Sequence, residues 1–219
     1  MPAFRSADEA AIREAAIARL RMLRPGARII HEINVCGTGS NRIDVLAVDR
    51  AEIIAIEIKS KRDKIDRLKD QLTAMRGCAH HAIAVLHEKF LIEQETNKWR
   101  AEYQRDGVNY LRALPDVATW DSTWVYPEGP NFYDRWREPK LTVQQPLPSG
   151  ALDMLWRDEL LEMCGRYSVS SGKRPTMAMM KAALRWQLSG RDLVYGICAA
   201  LRARPCIEAD PAIDWKEAA

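Results

Sequence analysis

Residues 42–62 read RIDVLAVDRAEIIAIEIKSKR, and the fold turns on this stretch. Two short apolar runs flank an acidic turn, AVDRAE. Ile and Val dominate both runs, which predicts strands. Each run carries a carboxylate that a plain strand would not need. The first holds Asp44; the second holds Glu57, with Lys59 after one intervening residue. Side chains alternate faces along a strand. Glu57 and Lys59 therefore share one face, Ile56 and Ile58 the other, and Arg42, Asp44 and Leu46 share a face of the preceding strand. Pairing the two strands is expected to set Asp44 beside Glu57 and Lys59.

Such a cluster suits phosphodiester hydrolysis. Two carboxylates hold a hard divalent cation, normally Mg²⁺, through oxygen ligands. The cation polarises a phosphate and helps to generate hydroxide from water. A lysine in the same place positions that water or stabilises charge developing on the phosphate. The competing reading is a solvated sheet edge with an ordinary Glu–Lys pair. A lone E-x-K favours that reading; an Asp on a neighbouring apolar strand shifts the balance towards metal-dependent chemistry.

With these residues in view, the stretch resembles the PD-(D/E)XK nuclease superfamily, Asp44 matching its Asp and Glu57-Ile58-Lys59 its E-x-K. GTGSNRIDVLA is similar to the archaeal Holliday-junction resolvase branch, where a Gly/Ser-rich turn precedes the Asp. EIKSKRDKIDRLKDQL, with a later LWRDEL, resembles most closely the small phage and bacterial nuclease-like proteins of the sce7726 family. Ile43 departs from the pattern, standing where the superfamily name has Pro. The resemblance covers mainly residues 8–87. It implies an α/β (α+β), restriction-endonuclease-like mixed sheet flanked by helices. It also implies metal ligation by Asp44 and Glu57, with Mn²⁺ able to replace Mg²⁺, and a catalytic role for Lys59. A polar residue on the helix after the E-x-K strand would hold water or phosphate, and Gln71 fits. The related resolvases carry a metal-associated Glu on the first helix, best matched here by Glu14.

The chain has 219 residues and is 47% apolar, enough for one folded domain or a core with an appendage. A formal net charge of +3 permits nucleic-acid binding without establishing it. The five cysteines are widely spaced, with no C-x-x-C pair, so neither a zinc knuckle nor a disulfide framework is suggested. A reducing cytoplasm is the simpler setting. No secretion-like N-terminal pattern and no apolar run of membrane-spanning length is present, so no membrane partner is expected.

In chain order, Ser6 and Glu9 form a capping-box pattern ahead of an Ala-rich helix. Ile12, Ala16, Leu20 and Leu23 make its buried stripe, and Pro25-Gly26 ends it. ARIIHEINV predicts a first strand over about 27–35; Glu32 interrupts it and is the second candidate for an additional metal ligand. GTGSN is a turn, and it lacks the GK[ST] ending of a phosphate-binding P-loop. After Lys59, Asp63 is expected to cap a helix over 64–76 with Ile65, Leu68, Leu72 and Met75 inward. HHAIAVLHE predicts a fourth strand. Its adjacent histidines face opposite ways, which argues against zinc. FLIEQETNKWRAEYQRDG has a helical composition, and STWVYPEG resembles a short strand. The aromatics from Trp99 to Tyr126, near Arg100, Arg105 and Arg112, fit either a core or base stacking. Residues 149–219 suggest three helices, read as an appendage to a core spanning 1–148.

The expectation is a Mg²⁺-dependent DNA endonuclease, catalytic through Asp44, Glu57, Lys59 and Gln71, acting on branched or structured DNA rather than on a short base sequence. Cutting two strands symmetrically needs two sites, hence a homodimer; a monomeric nicking enzyme is the alternative. A non-catalytic nucleic-acid-binding or phage–host interaction module on the same core is the rival class, and an RNA nuclease a third.

Overall fold

The computed structural model describes residues 6–35, 42–129, 135–140 and 146–214. The GTGSN turn and Cys36 lie outside these. Helix α1 (Ala7–Leu23) starts where Ser6 accepts a hydrogen bond from the Glu9 amide at 3.2 Å. Strands β1 (Arg28–Asn34), β2 (Arg42–Val48) and β3 (Ile53–Lys59) follow, then α2 (Leu68–Arg76) and β4 (His81–His87). Beyond them come β5 (Ile92–Glu95), β6 (Tyr103–Arg105), β7 (Val108–Ala113) and β8 (Thr123–Tyr126), then α3 (Arg157–Arg166), α4 (Met177–Gln187) and α5 (Gly190–Ala203).

The main sheet has five strands in the order β1-β2-β3-β4-β8. The first three pair antiparallel, and β4 and β8 add in parallel. β3 is buried along its whole length, as its near-continuous apolar run requires in a sheet covered on both sides. On one face, Ile12, Ala16 and Leu20 of α1 pack on Val45, Ile54, Ile56 and Val85. Trp124 and Trp136 stack in the same cluster with ring centres 5.0 Å apart. On the other face, Leu46, Val48, Ala55 and Leu86 meet Leu68 and Leu72 of α2 together with Leu160, Met163, Leu184 and Leu201 of the last three helices.

The C-terminal helices, read from the sequence as an appendage to a core spanning 1–148, pack in this second cluster as the outer layer over one face of the sheet. Gly150 packs so closely on α2's end that a Cβ there would strike the Gly77 carbonyl. The sheet edge is closed by the same region. The His31 amide donates to the Glu208 carbonyl at 2.8 Å, and the Asp210 amide to the Ile29 carbonyl at 2.9 Å. Arg28, fully buried, donates to the carbonyls of Leu201 and Arg202.

Two expectations fail. Residues 90–107 are not helical but build most of a small antiparallel sheet, β5-β7-β6, with Asp106 and Gly107 at φ 50° and 79° forming its hairpin turn. An Asp-Gly pair suits such a turn because both positions need positive φ. Helix α2 begins at Leu68 rather than 64, and Asp63 does not cap it. Asp63 instead accepts from the Ser60 amide at 2.8 Å and the Ser60 hydroxyl at 2.6 Å, fixing the turn that leaves β3.

At the start of β3, Glu52 pairs with Arg24 at 2.5 Å and His81 at 3.1 Å. Burial opposes its charge, but these two partners outweigh it and hold its pKa down at about 2. His80 and His81 therefore serve this structural tie, His80 Nδ1 accepting from the Ile53 amide at 3.0 Å.

Candidate active site

The register places Glu32, Asp44 and Glu57 in one row across β1, β2 and β3. On β1 and β2 the pairs on either side are His31 with Val45 and Ile33 with Ile43, so Glu32 stands opposite Asp44. The β2–β3 ladder runs from Val48 and Ile53 to Val45 and Ile56, and the next pair would be Asp44 with Glu57. The ladder stops there. The strands part, and the Asp44 side chain replaces a backbone partner by accepting from the Ile58 amide at 2.8 Å. Glu32 leaves the ladder too, with φ at 54°, a left-handed value that costs a non-glycine residue about 1 kcal/mol or more.

A cleft of about 500 Å³ opens at this splayed end, lined by Glu9, Asn34, Arg42, Asp44, Glu57, Lys59, Lys64, Arg67 and Gln71 among others. Glu57, 3% exposed, accepts through Oε1 from the Lys59 ammonium at 2.8 Å and from the Gln71 amide. Lys59 also donates to Gln71 Oε1 at 2.7 Å. Four of the sequence-derived candidates, Asp44, Glu57, Lys59 and Gln71, thus share one cleft. Burial first, and then the charge of Glu57, push the Asp44 carboxyl up to about 7.

The other two candidates do not join them. Glu14 is exposed and lines no part of the cleft. Five residues earlier on α1, Glu9 faces inward and lines it instead. Glu32 is neutralised, with Arg13 at 2.8 Å and Arg42 at 2.6 Å. The residue that sequence reasoning missed is Arg13, 0% exposed beneath the cleft. Its guanidinium donates to Glu9 at 2.7 Å, to Glu32 at 2.8 Å and to the Asp44 carbonyl at 2.7 Å, and it meets His31 Nδ1 at 3.3 Å. Burial opposes its charge, yet the bond to Glu9, the charge of Asp44 and the bond to Glu32 raise its pKa above the usual arginine value. The available signal was charge on the buried stripe: Glu9 and Arg13, four apart, flank Ile12.

The donor set fits a hard divalent cation. Asp44 and Glu57 offer carboxylate oxygens on one row, and their mutual repulsion is what a bound cation would relieve. Among the described residues no three His, Cys, Asp or Glu side chains form a metal-holding group. The protein's share would therefore be these two carboxylates, with water and phosphate oxygens completing the shell, as Mg²⁺ commonly accepts.

The raised Asp44 pKa has a consequence for stability. A carboxyl at 3.8 unfolded and about 7 folded stabilises the fold fully below pH 4 and loses that contribution as pH rises towards 7. Asp44→Asn removes the penalty and keeps an acceptor for the Ile58 amide. In EDTA, the variant is expected to melt at least ~5 °C above the wild type at pH 8 and within ~2 °C of it at pH 4. Equal melting points at pH 8 would show that Asp44 ionises there without cost.

Comparison with known proteins gives one similarity. A family model described as Bacteriophage P4 protein cII matches residues 3–97. The matched stretch covers α1 through β5 and contains every cleft residue named above, so it associates this part of the chain with a phage protein family. No curated protein matches the chain, and no solved structure does. Among the described residues no helix is long and apolar enough to cross a membrane.

Proposed function

We propose that the protein is a metal-dependent DNA endonuclease working through the cleft at the splayed end of β2 and β3. The observation that carries the reading is the single constellation there: Asp44 and Glu57 on one row, with Lys59 bonded to Glu57 and held by Gln71. Asp44 and Glu57 would hold the cation, Mg²⁺ or Mn²⁺, which when bound polarises the scissile phosphate and acidifies a water. Lys59 holds that water, or stabilises the extra negative charge on the phosphorus oxygens as the attacking bond forms. Gln71 fixes the rotamers of Lys59 and Glu57, so little reorganisation is left for the reaction itself. Lys64 and Arg67 line the cleft and suit phosphate contacts, which position a backbone without reading its bases. Arg13 keeps Glu9 and Glu32 away from the cation and fixes the backbone of Asp44.

Branched or structured DNA is the substrate form this reading favours, with symmetric cutting requiring a homodimer. The second reading, a nucleic-acid-binding module without hydrolysis, draws on Glu9 and Glu32 being occupied by arginines, which leaves two carboxylates for a metal. One cleavage panel separates them: linear duplex, single strand, flap, fork and four-way junction, with matched RNA, in Mg²⁺, Mn²⁺ and EDTA. The nuclease reading expects metal-dependent cutting that EDTA abolishes, strongest on the branched forms. Binding of DNA without cutting in either metal establishes the second reading, and equal cutting of all forms removes the structural preference.

A further inference from the structure

The small sheet is an arm rooted beside the cleft. It leaves β4 at the end where β3 carries Lys59, the register pairing Lys59 with Leu86. The turn Glu88–Phe90 bolts its root to the loop after Lys59, the Lys89 ammonium donating to the carbonyls of Lys61 and Asp63. Within the arm, Tyr103 and Tyr110 stack at 5.7 Å and the Arg105 guanidinium lies 4.8 Å from the Tyr110 ring. Arg105 is neutralised by Glu93, and Arg112 by Glu102. The loop joining β5 to β6 is different. It carries Lys98-Trp99-Arg100, with Trp99 95% exposed, more than any other large apolar side chain of the described residues. Among those residues neither Lys98 nor Arg100 has an ion pair.

A bare indole between two unpaired cations has the chemistry of a base-stacking contact. Every base presents a π face to an aromatic ring, and the phosphates on either side meet the cations. A duplex stacks its base faces away and leaves an aromatic ring no such surface along its length, while its phosphates stay open to the cations. We infer that the Lys98-Trp99-Arg100 loop is a second nucleic-acid contact, in which Trp99 stacks on an unpaired base while Lys98 and Arg100 hold the flanking phosphates. This rests on the nuclease reading for its partner, and it supplies a physical source for a preference for DNA with unpaired bases.

The test uses the full chain in EDTA, so that binding is read without cleavage, with a fluorescent 20-nucleotide poly(dT) and a 20-base-pair duplex as probes. Trp99→Ala is expected to weaken single-strand binding about tenfold and duplex binding less than twofold. Trp99→Phe should recover most of the loss, and Lys98→Gln with Arg100→Gln should flatten the salt dependence on both probes. Circular dichroism of each variant checks the fold, which a 95% exposed side chain does not support. Unchanged single-strand binding in Trp99→Ala overturns the inference, as does an equal loss on both probes. Trp99-dependent binding by a wild-type protein that cuts nothing in Mg²⁺ or Mn²⁺ would sink the nuclease reading and leave the stacking contact standing.

Discussion

Glu57→Gln is expected to lower metal-dependent cleavage by about a thousandfold, and Lys59→Ala by about a hundredfold or more. The two should fail differently. Glu57 is a metal ligand in the proposed scheme, so its loss should also weaken Mn²⁺ binding, read by calorimetry in the absence of DNA. Lys59 touches the reacting atoms and not the cation, so its loss should leave Mn²⁺ affinity nearly unchanged and act on kcat with little effect on KM. Asp44→Asn belongs with Glu57→Gln on both measurements, and its higher melting point at pH 8 guards against attributing lost activity to unfolding. Gln71→Ala should cost less than either, because it positions Lys59 and Glu57 without reaching the phosphate. Wild-type turnover in both Glu57→Gln and Lys59→Ala would place the chemistry elsewhere in the chain.

The second large effect concerns the fold. Arg13→Met is expected to destabilise the protein by about 3–5 kcal/mol in urea denaturation at pH 7, because it takes the cation from buried Glu9, leaves Glu32 with Arg42 alone, and removes the donor to the Asp44 carbonyl. Breaking a buried ion network by removing one partner is far costlier than replacing the whole set. The triple variant Arg13→Met, Glu9→Gln, Glu32→Gln should therefore recover at least half of the loss. A loss under about 1 kcal/mol in the single variant would show that water reaches these carboxylates easily. The triple variant also tests the role given to Arg13 in keeping the two acids from the cation, since neutral glutamines cannot compete for it.

What the sequence disclosed follows from which residues report on both faces of an element. In β3 the alternation of isoleucine with Glu57 and Lys59 assigns both faces at once, and the structure has those faces as expected. α1 disclosed its stripe and hid its polar part. An apolar pattern cannot reveal charged residues buried on the stripe's own side, so it shows Glu9 only as a capping residue, gives no sign of Arg13, and leaves Glu14 as the α1 acid that the resemblance matches to a metal. Glu32 was legible as an interruption but not as a left-handed residue held by two arginines, which depends on a helix 19 residues away in sequence. The arm failed for another reason. β5 is exposed at every position, so no inside–outside alternation marks it as a strand, and Glu, Gln, Lys and Arg there mimic a helix surface. Asp106-Gly107 was the remaining clue. The C-terminal helices showed that each has an apolar face without showing what covers it. An amphipathic helix fits a private bundle and the flank of a sheet equally well.

The closure of β1 by residues 208–210 gives the protein a particular order of events during synthesis. β1 is an edge strand, and its outward amides at Ile29 and His31 find their acceptors only in Asp210 and Glu208. Arg28 waits for carbonyls 173 and 174 residues further on. A ribosome adding roughly 5–20 residues per second keeps that edge open for about ten seconds or more after β1 has emerged. Throughout that interval a nascent chain can already pair β1 with β2 and β3, yet it presents an unpaired strand edge to its neighbours on the polysome. Crowded translation is then a condition that exposes this chain to strand-on-strand association, and a chain stopped short of residue 208 keeps that exposure.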